Sequence, residues 1–365
     1  FTLTHSIETY SLVQYYLSNL GIIPNKLITP QKRFIGWYNP YHFGNKQLRK
    51  FYQFFGINNH GSIPIKYQQT ADIFYSPYYP IPAYLQSIKK CITIYDLIPV
   101  LPQYAHFINK DFQHVVPEIK SILNSANQCN ISTISEFTKQ DLLTWNPNIN
   151  PALVIPIHLG IDQLKFVPQH HQTDWLKVQT KYNLPNKYLL TLGTVEPRKN
   201  GLHIIKAFQQ CIHDYKINDL YLVIAGNITV EYKKTLNAQL ELKNKVIFIG
   251  RIDDADISIL YSRANSFYFM SFAEGFGFPP LEAMACGVPV VTSNTTSLPE
   301  IIEDAGIMLD PNDEHILSQT MYQLYSSQDL CQKYIQLGLN HVKKFTWQKT
   351  ANEYYNLFKK IVDEL

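Results

Sequence analysis

Residues 187–201 read KYLLTLGTVEPRKNG. An apolar run suited to a buried strand stops at Gly193, a loop carrying Arg198 and Lys199 follows, and a helical pattern begins near 201. The order recurs downstream. LYLVIA (220–225) is closed by Gly226, and KVIFI (245–249), SFYFMSF (266–272) and VPVVT (288–292) are further strands, with helices expected over 201–215, 231–243, 256–264 and 280–286. Short apolar strands alternating with helices indicate a parallel α/β sheet. The first half shows the same order less clearly. Its strands are DIFYS (72–76), CITIY (91–95) and 129–134, and its helices 6–20, 111–126 and 135–145, the last opened by Ser135 as N-cap. The stretch 163–186, with Pro168, His170, His171 and Pro185, is the weakest in pattern. The reading is therefore α/β, with two doubly wound domains over 1–168 and 169–345. A terminal piece, 346–365, holds a helix over 346–363 expected to pack back across the interface.

The totals agree. A chain of 365 residues suits two domains at about 150 residues each, and 45% hydrophobic with 17% charged residues excludes disorder as the main state. A net charge of +3 excludes a dedicated nucleic-acid binder. Residues 1–150 carry 12 basic and 7 acidic side chains and residues 151–365 carry 20 and 22, so the two halves are expected to meet different partners. The five cysteines are far apart and form no C-x-x-C, which argues against a disulfide framework or a zinc site. No apolar run approaches the roughly 20 residues of a membrane span, and no signal peptide is visible. A cytoplasmic protein with reduced thiols is expected. The chain starts at Phe1 rather than Met, which suggests that its true beginning is missing.

In open parallel sheets, ligands sit beyond the carboxyl ends of strands. The richest such loop opens AEGFGFPPLEAMACGVPVVTS (273–293). Gly275 and Gly277 allow close approach of backbone to a ligand. Pro279 and Pro280 pre-set a first helical turn, and the helix is read as starting at Leu281 with Glu282 in that turn. A helix start offers unpaired N–H groups to an anion. Glu274 and Glu282 would flank a phosphate-sized pocket, each able to accept hydroxyl hydrogen bonds. Arg198 and Lys199 suit a diphosphate.

These residues resemble the retaining glycosyltransferases of family 4. EGFGFPPLEAMACGVPVV looks like that family's signature and GTVEPRKNG (193–201) like its phosphate loop. DIFYSP (72–77), YDLIP (95–99), SEFTK (135–139) and LGID (159–162) match weaker landmarks in the right order. The resemblance implies a GT-B architecture, two Rossmann-like domains facing across a cleft, with the nucleotide-sugar donor on the C-terminal domain and the acceptor on the N-terminal one. It implies that Lys199 and Arg198 bind the diphosphate, Glu282 the ribose hydroxyls and Glu274 the donor sugar. The backbone of Gly275, Phe276, Gly277 and Phe278 would line sugar and phosphate, and Arg251 and Ile252 would lie near the base. Asp96 is carried as an acceptor-side or catalytic candidate. No metal and no other cofactor are expected, because cations and a helix end neutralise the leaving diphosphate. Transfer to a polysaccharide or lipid-linked acceptor, as in bacterial surface glycan synthesis, is the implied activity, with retention by front-side attack.

Three departures stand out. Thr194 occupies a position where the family often has Arg. Tyr95 replaces a His that touches the donor sugar, which makes a 6-deoxy sugar worth testing. A first strand and glycine-rich loop are not recognisable before SIETY (6–10). The same architecture would also serve a sugar-nucleotide epimerase or a non-catalytic scaffold subunit. Residues 32–55 mix Lys and Arg with aromatics; they read first as loop and helix packed on the core, and alternatively as a patch meeting an anionic membrane or a lipid-linked acceptor at the membrane's inner face. Asp253, Asp254 and Asp256 read as helix capping rather than a metal site, and Glu300 and Glu303 as surface positions.

Overall fold

In a computed structural model of the chain, residues 34–36, 72–77, 81, 88–107, 116–127, 129–169, 171–193, 197–226, 234–235, 237–238 and 241–363 are described. The apolar runs form two all-parallel sheets. The first holds β1 (Phe34–Gly36), β2 (Ile73–Ser76), β3 (Lys89–Ile94), β4 (Asn130–Thr133) and β5 (Val154–Pro156), in that spatial order. The second holds β6 (Tyr188–Leu192), β7 (Tyr221–Ala225), β8 (Val246–Gly250), β9 (Ser266–Phe269), β10 (Val290–Ser293) and β11 (Ile307–Leu309), ordered β11-β10-β9-β6-β7-β8. Parallel strands need cover on both faces. Helices α1 (Val116–Ser125) and α2 (Glu136–Trp145) belong to the first unit. Helices α3 (Gln172–Tyr182), α4 (Gly201–Asp214), α5 (Ile257–Arg263), α6 (Phe278–Ala285), α7 (Leu298–Ile302), α8 (Glu314–Ser326) and α9 (Gln328–His341) belong to the second. One face of the second sheet packs Ile204, Phe208, Leu222 and Met321; the other packs Tyr188, Leu190, Phe267 and Leu281.

The strand order creates the crevice. The chain enters the second sheet at β6, builds β7 and β8 on one side, then returns to lay β9 on the other. Connections leaving β6 and β9 diverge, so their carboxyl ends open a gap at this switch point. β6 and β9 are paired, Leu189 with Ser266 through Thr191 with Tyr268.

Two expectations change. The weak stretch 163–186 contains α3, whose Trp175 and Val178 are buried; Trp175 stacks on Tyr188 of β6, at 6.2 Å and 18°. α6 begins at Phe278, three residues before the expected start, since Pro279 and Pro280 fit inside its first turn. The expected helix over 6–20 and parts of that over 231–243 lie outside the described residues, as does the 32–55 patch beyond the strand at 34–36.

The two units are joined by adjacent crossings. Ile161 N donates to Phe345 O at 3.1 Å. A β-carbon on Gly160 would come within 2.2 Å of Trp347 N, so only glycine lets these segments run side by side. The last helix, α10 (Trp347–Asp363), then packs on the first sheet. Its Tyr354, Leu357 and Ile361 cluster with Ile73, Cys91 and Ile157, its Tyr354 hydroxyl bonds Thr93 Oγ1 at 2.9 Å, and Lys89 Nζ donates to Ile361 O at 2.6 Å.

Candidate active site

The loops from β6 and β9 meet at the switch point. A short 3₁₀ turn, Pro197–Lys199, presents two cations. Lys199 Nζ lies 2.6 Å from Glu274 Oε1, and Arg198 Nη1 lies 3.0 Å from the same oxygen while also donating to the Ala273 carbonyl. Lys199 is only 7% exposed and stands 4.8 Å above the Phe269 ring. Burial alone would raise the Glu274 carboxyl, but Arg198 and Lys199 hold it down to about 2.

The glycine loop after Glu274 is fastened through its carbonyls. Ser297 Oγ lies 2.8 Å from both Glu274 O and Phe276 O, and Ser135 Oγ, from the first unit, donates to Gly275 O at 2.8 Å. Glu274 N is held by Thr296 Oγ1 at 3.0 Å. The N–H groups of Gly275, Phe276 and Gly277 meet no acceptor among the described residues. A run of such donors beside two cations suits an anion or sugar hydroxyls. Gly277 has φ +135°, a conformation that favours glycine. The Phe276 side chain is core, packed against His158 and Phe345, so only its backbone borders the site.

Because α6 starts early, Glu282 falls in its second turn and not at the helix tip. It is partly buried, and its Oε2 accepts from the buried Tyr261 hydroxyl at 3.2 Å.

Asp96 comes from the other unit, just past β3. A β-carbon on Gly275 would stand 2.8 Å from Asp96 Cβ and from Tyr95 O, so the two units touch here. Burial raises the Asp96 carboxyl, Glu274 adds to this, and Arg198 and Lys199 oppose it. Asp96 Oδ1 also accepts from Ile98 N at 3.2 Å, which caps the turn before Pro99. Tyr95 packs against the core cluster holding Phe276 and Leu281. Arg251 is exposed and Ile252 packs on that same core, both beyond β8, two strands from β6. No contact among the described residues brings either to Glu274. Thr194 lies outside the described residues.

Two of the expected roles differ in the structure. The acidic run is neutralised by lysines: Lys181 Nζ reaches Asp253 at 2.5 Å and Asp256 at 2.6 Å, and Lys165 reaches Asp254 at 2.7 Å. The Asp256 side chain makes no capping bond at α5. Glu300 is partly buried at the junction of the units rather than a solvated surface position. Its Oε1 accepts from Glu136 N at 2.8 Å and lies 2.6 Å from His158 Nε2, while its Oε2 accepts from Phe137 N at 3.1 Å. Sequence reasoning also missed Thr138, Thr296 and Ser297, and it missed Asp141, whose Oδ2 is buried without a hydrogen-bond partner among the described residues. Their signal was local: each Ser or Thr stands in a loop just beyond a strand end or in the first turn of a helix.

Residues 174–341 match the profile of the family described as glycosyl transferases group 1. The chain is 29% identical over 292 residues to the O-antigen chain mannosyltransferase B of Escherichia coli, covering 79% of this chain and 74% of that one. It is 28% identical over 277 residues to the serotype-specific mannosyltransferase WbdA of Escherichia coli, covering 74% of this chain and a 33% share of that longer protein. The fold is that of a glycosyltransferase from Rickettsia africae (TM-score 0.70, 20% identity, 97% and 94% covered). It is also that of Anabaena HepE, solved in complex with UDP (TM-score 0.67, 16% identity, 90% and 92% covered).

Proposed function

We propose that the chain, whose residues 174–341 match the glycosyl transferases group 1, is a GT-B hexosyltransferase that takes a sugar from a nucleotide-sugar donor and transfers it with retention to a surface-glycan acceptor at the inner face of the cytoplasmic membrane. The names of the relatives favour mannose as the transferred sugar and an O-antigen-type chain as the acceptor. Among the described residues no helix is long and apolar enough to cross a membrane.

The observation that carries the reading is the cluster of Lys199, Arg198 and Glu274 at the switch point of the second sheet. When the bond between the sugar C1 and the phosphate oxygen breaks, negative charge builds on the diphosphate. Preorganised cations and N–H donors aimed at that charge supply the largest catalytic effect. Lys199 and Arg198 take that role, with the Gly275–Gly277 amides as further donors. A diphosphate drawing both cations away leaves Glu274 able to accept sugar hydroxyls. Glu282, one turn into α6, serves the ribose. The acceptor oxygen attacks from the face the diphosphate leaves and passes its proton to the departing oxygen. Asp96, with its raised carboxyl across the cleft, orients that acceptor. No metal is assigned a role, because the two side-chain cations carry the charge. The test is transfer from a panel of sugar nucleotides by the full chain and by Lys199→Met, with acceptor-free donor turnover separating transfer from epimerisation.

A further inference from the structure

The first unit's helix α2 has an accounting that its own sequence cannot close. A helix leaves its first N–H groups without intrahelical partners. Ser135 Oγ accepts from Thr138 N at 3.1 Å, and Lys139 N begins the regular ladder on Ser135 O at 3.2 Å. That leaves the N–H groups of Glu136 and Phe137. Both are satisfied by one carboxylate from the other unit, that of Glu300 on α7. The negative charge sits at the positive end of the helix, where it is favoured.

Three further bonds tie this contact to the site. Ser135, at the tip of the same helix, donates to Gly275 O of the donor loop. Thr138, in its first turn, donates to Tyr95 O, next to Asp96, at 3.2 Å. His158, bonded to Glu300, lies on the crossing between the units, with its carbonyl accepting from Thr350 of α10 at 2.8 Å. One helix end is thus held on one side by Glu300 and on the other by the sugar loop, and it carries the segment that sets Asp96 against Gly275.

We propose that Glu300 is a positioning residue for transfer: it locks α2 to the donor-binding unit and so fixes the acceptor-side groups opposite the Glu274 loop. It touches neither substrate, and it acts through α2, Ser135 and Thr138. The proposal rests on the transferase reading for its kinetic consequence, while the lock itself does not depend on it.

The test uses the full chain and Glu300→Gln. An amide of the same shape puts an NH2 group where one backbone N–H now finds an acceptor, so at least one bond is lost. Hydrogen exchange at the Glu136 and Phe137 amides is expected to quicken about ten-fold or more, with the melting point within a few degrees of the parent. In transfer assays the acceptor KM is expected to rise and kcat to fall, each several-fold, while the donor KM stays within two-fold. Glu303→Gln, altering an exposed carboxylate paired with Lys344, is the control and leaves all five values unchanged. Unchanged exchange at Glu136 and Phe137 in Glu300→Gln would overturn the lock. Faster exchange with unaltered acceptor KM would overturn the positioning role. If the parent turns over no sugar nucleotide, the transferase reading fails, and the exchange result alone decides the lock.

Discussion

Lys199 Nζ and Glu274 Oε1 lie 2.6 Å apart, although one follows β6 and the other β9. Adjacency of those strands makes the pair, and with Arg198 it forms a nearly enclosed ionic cluster. Lys199→Met is expected to lower kcat on the order of 10²-fold, the effect of losing one donor to a developing anion. It is also expected to weaken diphosphate binding, read by titration calorimetry. A ten-fold or smaller loss of kcat with parental diphosphate affinity would contradict the role.

Glu274→Gln removes the shared anion and leaves two poorly solvated cations facing each other. A loss of about 3 kcal/mol is expected from unpairing buried charges. Added nucleoside diphosphate is expected to raise the melting point of this variant by more than that of the parent, because it replaces the missing charge. Transfer is lost in the same variant. The pair also sets an acid dependence. The Glu274 carboxyl is held below its ordinary value, so its contribution is present above about pH 4.5 and lost only as pH falls towards 2. In Lys199→Met that loss begins at higher pH, seen as an acid-unfolding midpoint moved upward.

Asp141 has the opposite sign. Burial first, and Asp96 second, push its carboxyl up to about 6. The folded state therefore binds this proton more tightly than the unfolded chain, and stability falls as pH rises from about 4 to 6. Asp141→Asn is expected to be more stable than the parent at pH 8 by about 1–2 kcal/mol, partial exposure reducing the full linkage value. The gap should close near pH 4, as read from urea unfolding at both pH values. Equal stability at pH 8 would contradict the assignment.

Gly275→Ala tests the contact between the units. The added carbon meets Asp96 Cβ and Tyr95 O, both at 2.8 Å, and overpacking of this kind costs about 1–3 kcal/mol. The strain is relieved if the units separate slightly. Transfer is expected to fall about ten-fold while diphosphate affinity stays within three-fold. Chelation by EDTA, in contrast, is expected to leave the rate of the parent unchanged; a metal-dependent rate would reassign the charge balance.

The sequence was most legible where one segment carries its own information. Strands β2 to β4 and β6 to β10 were readable from apolar runs closed by Gly or loop residues, and Glu274 from the glycines beside it; the three-residue β5 and β11 were too short to show. Ser135 was readable as an N-cap from its place before α2. Hidden features depended on residues distant in the chain. Glu300 looked like a surface glutamate because its partners are backbone amides of Glu136 and Phe137. The acidic run at 253–256 looked like capping because Lys181 and Lys165 arrive from the preceding linker and helix. α3 was obscured by the surrounding prolines, and the start of α6 by two prolines that belong inside its first turn.

The most direct test of the central claim is a thermal-shift panel of UDP, GDP, ADP, dTDP and CMP with the full chain, repeated on Lys199→Met. One nucleoside diphosphate is predicted to raise the parent's melting point by several degrees, with most of that rise gone in the variant. No shift from any diphosphate, or the same shift in both proteins, would contradict a diphosphate held between Arg198, Lys199 and the Gly275 loop.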